Sequence, residues 1–377
     1  ALKDWRFPNA NIVYGDAKGT ISYSVIGAIP LRPKSVKNQG RMAYPVTTSD
    51  RDWIGFIPYR FLPQVTNPKR GYLISANHRP IQSFYPLDIG ISTGSLGDTQ
   101  RSWRLRELLE RKNSFIPEEI LEMHYDMVNP VNREILRLAE FLRYEQQIPL
   151  EPDSIKALDY LHQWYEKGAR SDMEIQGTEL ANQLNPIFRR GVSDLVEQFG
   201  GGTSGLCYFL KTRKAQMREE PAFEIKETDI AFIQKVMQNA WRSAKRQYGD
   251  DPSLWQTKSL KALQNRKLGY YESLGGFPSL DPEQDVSFPF LQCIDGGTIH
   301  SQASQSYTQW VPLHDVDQAL SILPIGQTEQ PADPYRKITF HQWAKGELHP
   351  APITMEGVEK YVIRKQVLTN PQYKGTE

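Results

Sequence analysis

From Asn11 to about Pro80 short apolar runs alternate with turn residues, a period-two pattern that predicts strands rather than helices. The runs NIVYGD and TISYSVIGAIPLR flank Ala17-Lys18-Gly19, and Asp16 with Gly19 suits a tight hairpin. In DWIGFIPYRFLPQVTNPKRGYLISANHRP the prolines at 58, 63, 68 and 80 exclude a long helix and favour extended pieces joined by turns, the last strand lying near Tyr72 to Ala76. From about Thr99 the period lengthens to that of a helix, with Trp103, Leu105, Leu108 and Leu109 on a charged helix ending near Asn113. Ser114 before Pro117-Glu118-Glu119 predicts a helix through Met127, and Pro130 opens another that carries Ile135, Leu138, Phe141 and Leu142. Further helices are expected over 154–166, 180–199 and 228–248. The last has Thr228 as N-cap and Ile230, Ile233, Val236, Met237, Ala240 and Trp241 on one stripe. After Gly269 short apolar runs return, VSFPFLQCIDGG and QSYTQWVPLH, so β structure is expected to resume before a short helix near Glu359.

This order predicts an α+β layered fold rather than a regular βαβ alternation. It divides the chain into a β-rich segment over 1–98, a mainly helical one over 99–250, and a mixed β and loop segment over 251–377 that packs back on the first. Composition adds exclusions. With 45 basic against 44 acidic residues there is no field to gather nucleic acid or an anionic membrane. The 39% hydrophobic content suffices for a sizeable core, 26 Gly and 26 Pro signal many loops, and no apolar run is long enough to span a bilayer. Cys207 and Cys293 both lie in apolar settings, which favours buried thiols over a bridge. The first residue is Ala and the start runs directly into strand-like sequence, so the chain is expected to continue a longer polypeptide.

Generic motifs carry little. There is no phosphate-loop lysine, no paired Cys/His spacing for zinc and no Gly-x-Ser-x-Gly elbow. The glycines of 200–205 read as a helix-to-strand connection, His341 and His349 as ordinary histidines, and Asp281, Glu283 and Asp285 as a loop. Arg101, Arg104, Arg106, Arg111 and Lys112 are interleaved with Glu107 and Glu110, which predicts a solvated, ion-paired helix face.

The blocks together say more. Tyr14, Asp16, Gly19, Ile21 and Tyr23, then Asp52, Trp53, Gly55 and Pro58, then Asn67, Pro68, Gly71 and Tyr72, then an arginine opening a helix, resemble in order and spacing the penicillin amidase family. The resemblance implies the αββα layered fold of N-terminal nucleophile hydrolases. It also implies hydrolysis of linear amides through an acyl-enzyme on an N-terminal serine. The blocks lie downstream of that serine, so the chain is expected to be the C-terminal part of the large subunit, inactive alone. Its expected partners are the missing upstream part of the same precursor and a small-molecule amide, in a periplasmic or secreted setting.

Residue by residue, the resemblance places Asn77 as the oxyanion donor, a turn asparagine being the alternative, and Arg101 as the cation that orients it, an ordinary helix-start arginine being the alternative. His78 stands where the family has a second Asn. Asp88 falls at a structural calcium ligand of some members, though a cap or turn role would serve as well, and Ala10 and Ile12 fall where members line the acyl pocket. The contrasting possibility is a catalytically inactive lobe acting as a structural or binding module.

Overall fold

The computed structural model describes residues 1–33, 36, 49–81, 85–87, 89, 99–124, 126, 128–170, 175–181, 183–184, 227–257, 307–323, 333, 335, 338–339, 342 and 347–366. Strand β1, Ala10–Gly15, and strand β2, Ile21–Ile26, form the expected antiparallel hairpin, with Tyr14 opposite Ser22 and Ala10 opposite Ile26. Asp16 closes it. Its carboxylate accepts from the Lys18 and Thr20 amides at 2.9 and 3.0 Å, and Gly19 takes a φ of 86° that a side chain would resist.

The short strands β3, Pro30–Leu31, and β4, Gly55–Phe56, pair with each other, while β5, Gln64–Thr66, adds to β2 and makes β2 the central strand of three. Central position explains composition: Tyr23, Ser24, Val25 and Ile26 are all buried, whereas on the edge strand β1 every residue keeps some exposure. Tyr23, Val25, Ile29, Ile57, Leu62 and Ile89 form a core under this sheet.

A second core belongs to the helices: α1 Gln100–Leu109, α2 Pro117–His124, α3 Pro130–Glu140, α4 Pro152–Glu166 and α5 Glu227–Tyr248. Asn129 caps α3, its side chain accepting from Val131 and Asn132 N–H, and Pro130 fills the first-turn position where no N–H is needed. The α5 stripe is buried as its spacing predicts, with Ile233, Val236, Met237, Ala240 and Trp241 against Leu158, Leu161 and Trp164 of α4. Trp255 is wholly buried between Tyr160 and Trp241, its ring centroid 5.2 and 5.1 Å from theirs, and its indole N–H donates to Gly249 O at 2.9 Å. Burying a ring of this size contributes on the order of 2–3 kcal/mol.

Three more strands, β6 Thr308–Trp310, β7 Leu320–Ile322 and β8 His349–Pro350, form a separate antiparallel sheet in that order. Leu313 beyond β6 presses on Gly15 of β1, where an added Cβ would meet it at 2.9 Å, so the last segment touches the first hairpin. The closing helix α6, Met355–Glu359, sits as expected, capped by Thr354 and braced by Asp317, which accepts from the Ile353 and Thr354 amides at 3.0 and 2.8 Å.

Four expectations need correction. Residues 72 to 76 form no strand; among the described residues Tyr72 is tied to Glu110 and the Ala76 carbonyl to Thr99. Helix α1 stops at Leu109 rather than near Asn113: Glu110, at φ −90° and ψ 0°, makes the last regular bond, to Arg106 O, and Arg111 N–H turns instead to Leu108 O at 3.4 Å. Helix α5 is already helical at Glu227, so Thr228 lies inside it and is not its N-cap. The charged face of α1 is ion-paired but only partly solvated: Glu110, Arg111 and Lys112 are exposed, whereas the Arg104 side chain is 12% exposed and Glu107 23%. Residues 185–199, the glycines of 200–205, Cys207, Asp281, Glu283, Asp285, Cys293 and His341 lie outside the described residues. No described helix is long and apolar enough to cross a membrane.

One buried acid gives a pH signature. Glu179, 1% exposed, follows Gly177, whose φ of 103° and contact with Trp164 leave no room for a side chain. Burial pushes the Glu179 carboxyl up to about 7, outweighing its own amide and that of Gly177. A raised pKa means the native state prefers the protonated acid, so this stability is full below the ordinary glutamate range and is lost as pH rises through about 7. Glu179→Gln should therefore gain thermal stability relative to the parent as pH goes from 5 to 8. A constant difference across that range would refute the assignment.

Candidate functional site

The site is assembled on the first turn of α1. Thr99 stays extended at φ −86° and ψ 163° and caps the helix: its hydroxyl accepts from Ser102 N–H at 3.2 Å, while Ser102 Oγ accepts from Thr99 N–H at 2.9 Å. The Thr99 hydroxyl also donates to the carbonyl of Ala76 at 2.8 Å. Ala76 is buried, and its N–H donates to His78 Nδ1 at 3.4 Å. Between them Asn77 adopts φ 55°, the left-handed region, which costs a non-glycine residue roughly 1–2 kcal/mol and which asparagine tolerates better than most.

This conformation leaves the Asn77 side chain exposed beside α1, where Arg101 Nη2 donates to its Oδ1 at 2.6 Å. A guanidinium has donors only, so the amide must turn its oxygen toward Arg101 and its Nδ2 hydrogens elsewhere. The Arg101 charge also polarises the carboxamide, which makes those hydrogens better donors to an anion. Arg101 lies in the first helical turn, where a cation is otherwise mildly disfavoured, and Asn77 Oδ1 offers it a compensating acceptor.

Farther along α1 a second tie holds the approach to Asn77. Tyr72 donates its hydroxyl to Glu110 at 2.5 Å and packs under the Arg70 guanidinium, 5.0 Å from the ring centre. Burial first, and the Glu110 carboxylate second, push the Tyr72 phenol up to about 12, so it remains a donor through the physiological range. Residues 72–77 thus run beside α1, fixed at both ends. Helix α1 is in turn anchored to α3: Arg133 bonds both Glu107 oxygens, and Arg104 joins Glu107 at 3.0 Å to Asp126 at 2.7 Å. Burial works to raise the Glu107 pKa, but Arg133 and Arg104 outweigh it and hold the carboxyl below its usual range.

Residues 1–360 match the family described as penicillin amidase. The chain belongs to that family. A penicillin acylase 2 proenzyme of a Pseudomonas species (strain SE83) is 25% identical over 53% of this chain and 24% of its own length. A penicillin G acylase of Escherichia coli is 31% identical over 35% of the chain and 14% of its own. The acyl-homoserine lactone acylase QuiP of Pseudomonas aeruginosa is 21% identical over 98% of the chain and 47% of its own. The chain therefore spans about half the length, or less, of these relatives. The thermostable penicillin G acylase of Alcaligenes faecalis superposes with a TM-score of 0.63 at 16% identity, covering 97% of this chain and 68% of that one. That likeness supports the expected α+β fold of the N-terminal nucleophile hydrolases.

Of the residues singled out by the penicillin amidase resemblance, Asn77 and Arg101 are in direct contact. Ala10 and Ile12 share one face of β1, both partly buried and paired with Ile26 and Ser24. Asp88 lies outside the described residues, and among the described ones no three His, Cys, Asp or Glu gather closely enough to hold a metal. Sequence reading overlooked Thr99 and Tyr72 as partners of the site. The signal for Thr99 was present as a hydroxyl residue three positions before another, just ahead of an apolar helical period.

Because Glu107 compensates two largely buried guanidinium groups, Glu107→Ala should cost roughly 2–4 kcal/mol in urea unfolding at neutral pH. Its lowered pKa places this stabilisation above the ordinary glutamate range, and it is lost as pH falls through the folded value. The gap between variant and parent should therefore close in acid. A gap that persists undiminished there would show that the loss is packing rather than charge.

Proposed function

We propose that this chain is the part of a penicillin amidase-type amide hydrolase that supplies one donor of the oxyanion hole, Asn77 Nδ2–H. The observation that supports this most strongly is the 2.6 Å bond from Arg101 to Asn77 Oδ1, which turns the amide hydrogens outward from a left-handed turn. In acyl transfer the carbonyl oxygen of the substrate becomes an alkoxide as the nucleophile adds. A carboxamide already aimed at that position stabilises the charge with no proton transfer and little reorganisation. Arg101 lies one side chain behind the donor, so its charge favours the tetrahedral state at longer range.

The nucleophile in this reading is the serine of an N-terminal nucleophile hydrolase, contributed by the rest of a longer polypeptide, with its α-amine as the general base. Substrates are linear amides with a detachable acyl group, the chemistry common to the acylases that the chain resembles. Ala10 and Ile12 on β1 would contribute to the acyl pocket, and the same likeness favours a periplasmic or secreted setting. A structural calcium at Asp88 belongs to this reading but is not needed for the chemistry.

The test uses the full-length polypeptide with a chromogenic phenylacetyl amide and an N-acyl-homoserine lactone as alternative substrates. Asn77→Ala should lower kcat by about 100-fold or more with little change in KM, since an oxyanion donor acts on the transition state. Undiminished turnover in the variant would remove Asn77 from the mechanism. Failure of the parent to cleave either amide would favour the inactive-lobe alternative.

A further inference from the structure

We propose that Thr99 is a positioning residue for Asn77: by clamping the carbonyl of Ala76 to the start of α1, its hydroxyl sets the direction in which the Asn77 amide points. The inference rests on the oxyanion reading of Asn77 and extends it to a residue that touches neither substrate nor nucleophile.

The hydrogens leave little freedom. Thr99 Oγ1 has one proton, and it receives Ser102 N–H at 3.2 Å as the helix cap. Ser102 Oγ uses its own proton on Thr99 O at 3.0 Å while accepting Thr99 N–H at 2.9 Å. The Thr99 proton is then directed to its nearest acceptor, the Ala76 carbonyl at 2.8 Å rather than Ser102 Oγ at 3.3 Å. That carbonyl belongs to the peptide plane that ends at the Asn77 nitrogen. Pinning the plane, with φ at the left-handed value of 55°, sets the direction of the Asn77 Cα–Cβ bond, and the Arg101 bond at 2.6 Å then holds the side-chain torsions. The cost of a left-handed non-glycine residue and the net worth of one hydrogen bond are of the same order, so a single clamp is large enough to hold the turn.

Thr99 and Arg101 are two residues apart in the first turn of one helix, so backbone and side chain of the asparagine turn are referenced to the same rigid body. Among cap residues, only a serine or threonine hydroxyl both accepts from the helix amide and donates to a carbonyl from a single atom.

The experiment compares Thr99→Val, Thr99→Ser and Ser102→Ala in the full-length protein, each alone, and Thr99→Val also on Asn77→Ala. Thr99→Val should lower kcat by about tenfold with KM within about threefold, as expected when only transition-state stabilisation is lost. Thr99→Ser should restore most of it. Ser102→Ala weakens the cap without touching Ala76 and should stay within about threefold of the parent. On Asn77→Ala, Thr99→Val should add less than about twofold, because its effect passes through the missing amide. Equal losses in both backgrounds, or no loss from Thr99→Val, would overturn the proposal. Unaltered kcat in Asn77→Ala would instead overturn the oxyanion reading alone. A crystal structure of Thr99→Val reads the same point without turnover: Asn77 should leave its left-handed conformation or lose the Arg101 bond, and an unchanged turn with that bond at 2.6 Å would refute the clamp.

Discussion

A guanidinium can donate hydrogen bonds but cannot accept them, and the site depends on that asymmetry. An asparagine amide is nearly symmetric in shape, so its two ends exchange easily unless the surroundings distinguish oxygen from nitrogen. Arg101 makes the distinction at 2.6 Å. Everything else in the neighbourhood supports the two partners at that separation. The cap of α1 ties to Ala76, Tyr72 ties to Glu110 farther along the helix, and the Glu107 ion network fixes the helix against α3. A strand ladder would have held the backbone of residues 72–76 but not the direction of the next side chain. Side-chain ties to a helix do both.

The two cores divide the work. The sheet core under β2 sets where the chain enters residues 72–77, and the helical core around Trp164 and Trp255 makes the body against which α1 and α3 are braced. The charged face of α1 joins them. Arg104 and Arg133 enter a largely buried setting together with Glu107, Asp126 and Glu134, and removal of Glu107 leaves two guanidinium groups with one carboxylate partner fewer each.

Periodicity revealed the hairpin, α1, α3, α4 and the buried stripe of α5, because each is a local pattern repeated often enough to exclude its alternative. Asn77 and Arg101 could be named only by resemblance, since one asparagine after an apolar run has no period and could equally be a turn. Their contact spans 24 positions in sequence, and nothing local predicts it. Thr99 was visible as a cap pattern but its second role was not, because the carbonyl it holds is distant in sequence. The solvated face expected for α1 holds at Glu110, Arg111 and Lys112 but not at Arg104 and Glu107, for a related reason. Alternating charge looks the same whether water or another helix lies opposite, and here Arg133 of α3 occupies that side.

The central claim is directional: the hydrogens of the Asn77 amide face the reacting carbonyl. The most direct measurement is a crystal structure of the full-length protein carrying a tetrahedral adduct of an acyl-group mimic on its nucleophile. The account predicts Asn77 Nδ2 at about 2.7–3.1 Å from the adduct oxygen, with Arg101 still bonded to Asn77 Oδ1. An adduct oxygen held by other donors, with the Asn77 amide turned away or Arg101 bound elsewhere, would contradict it.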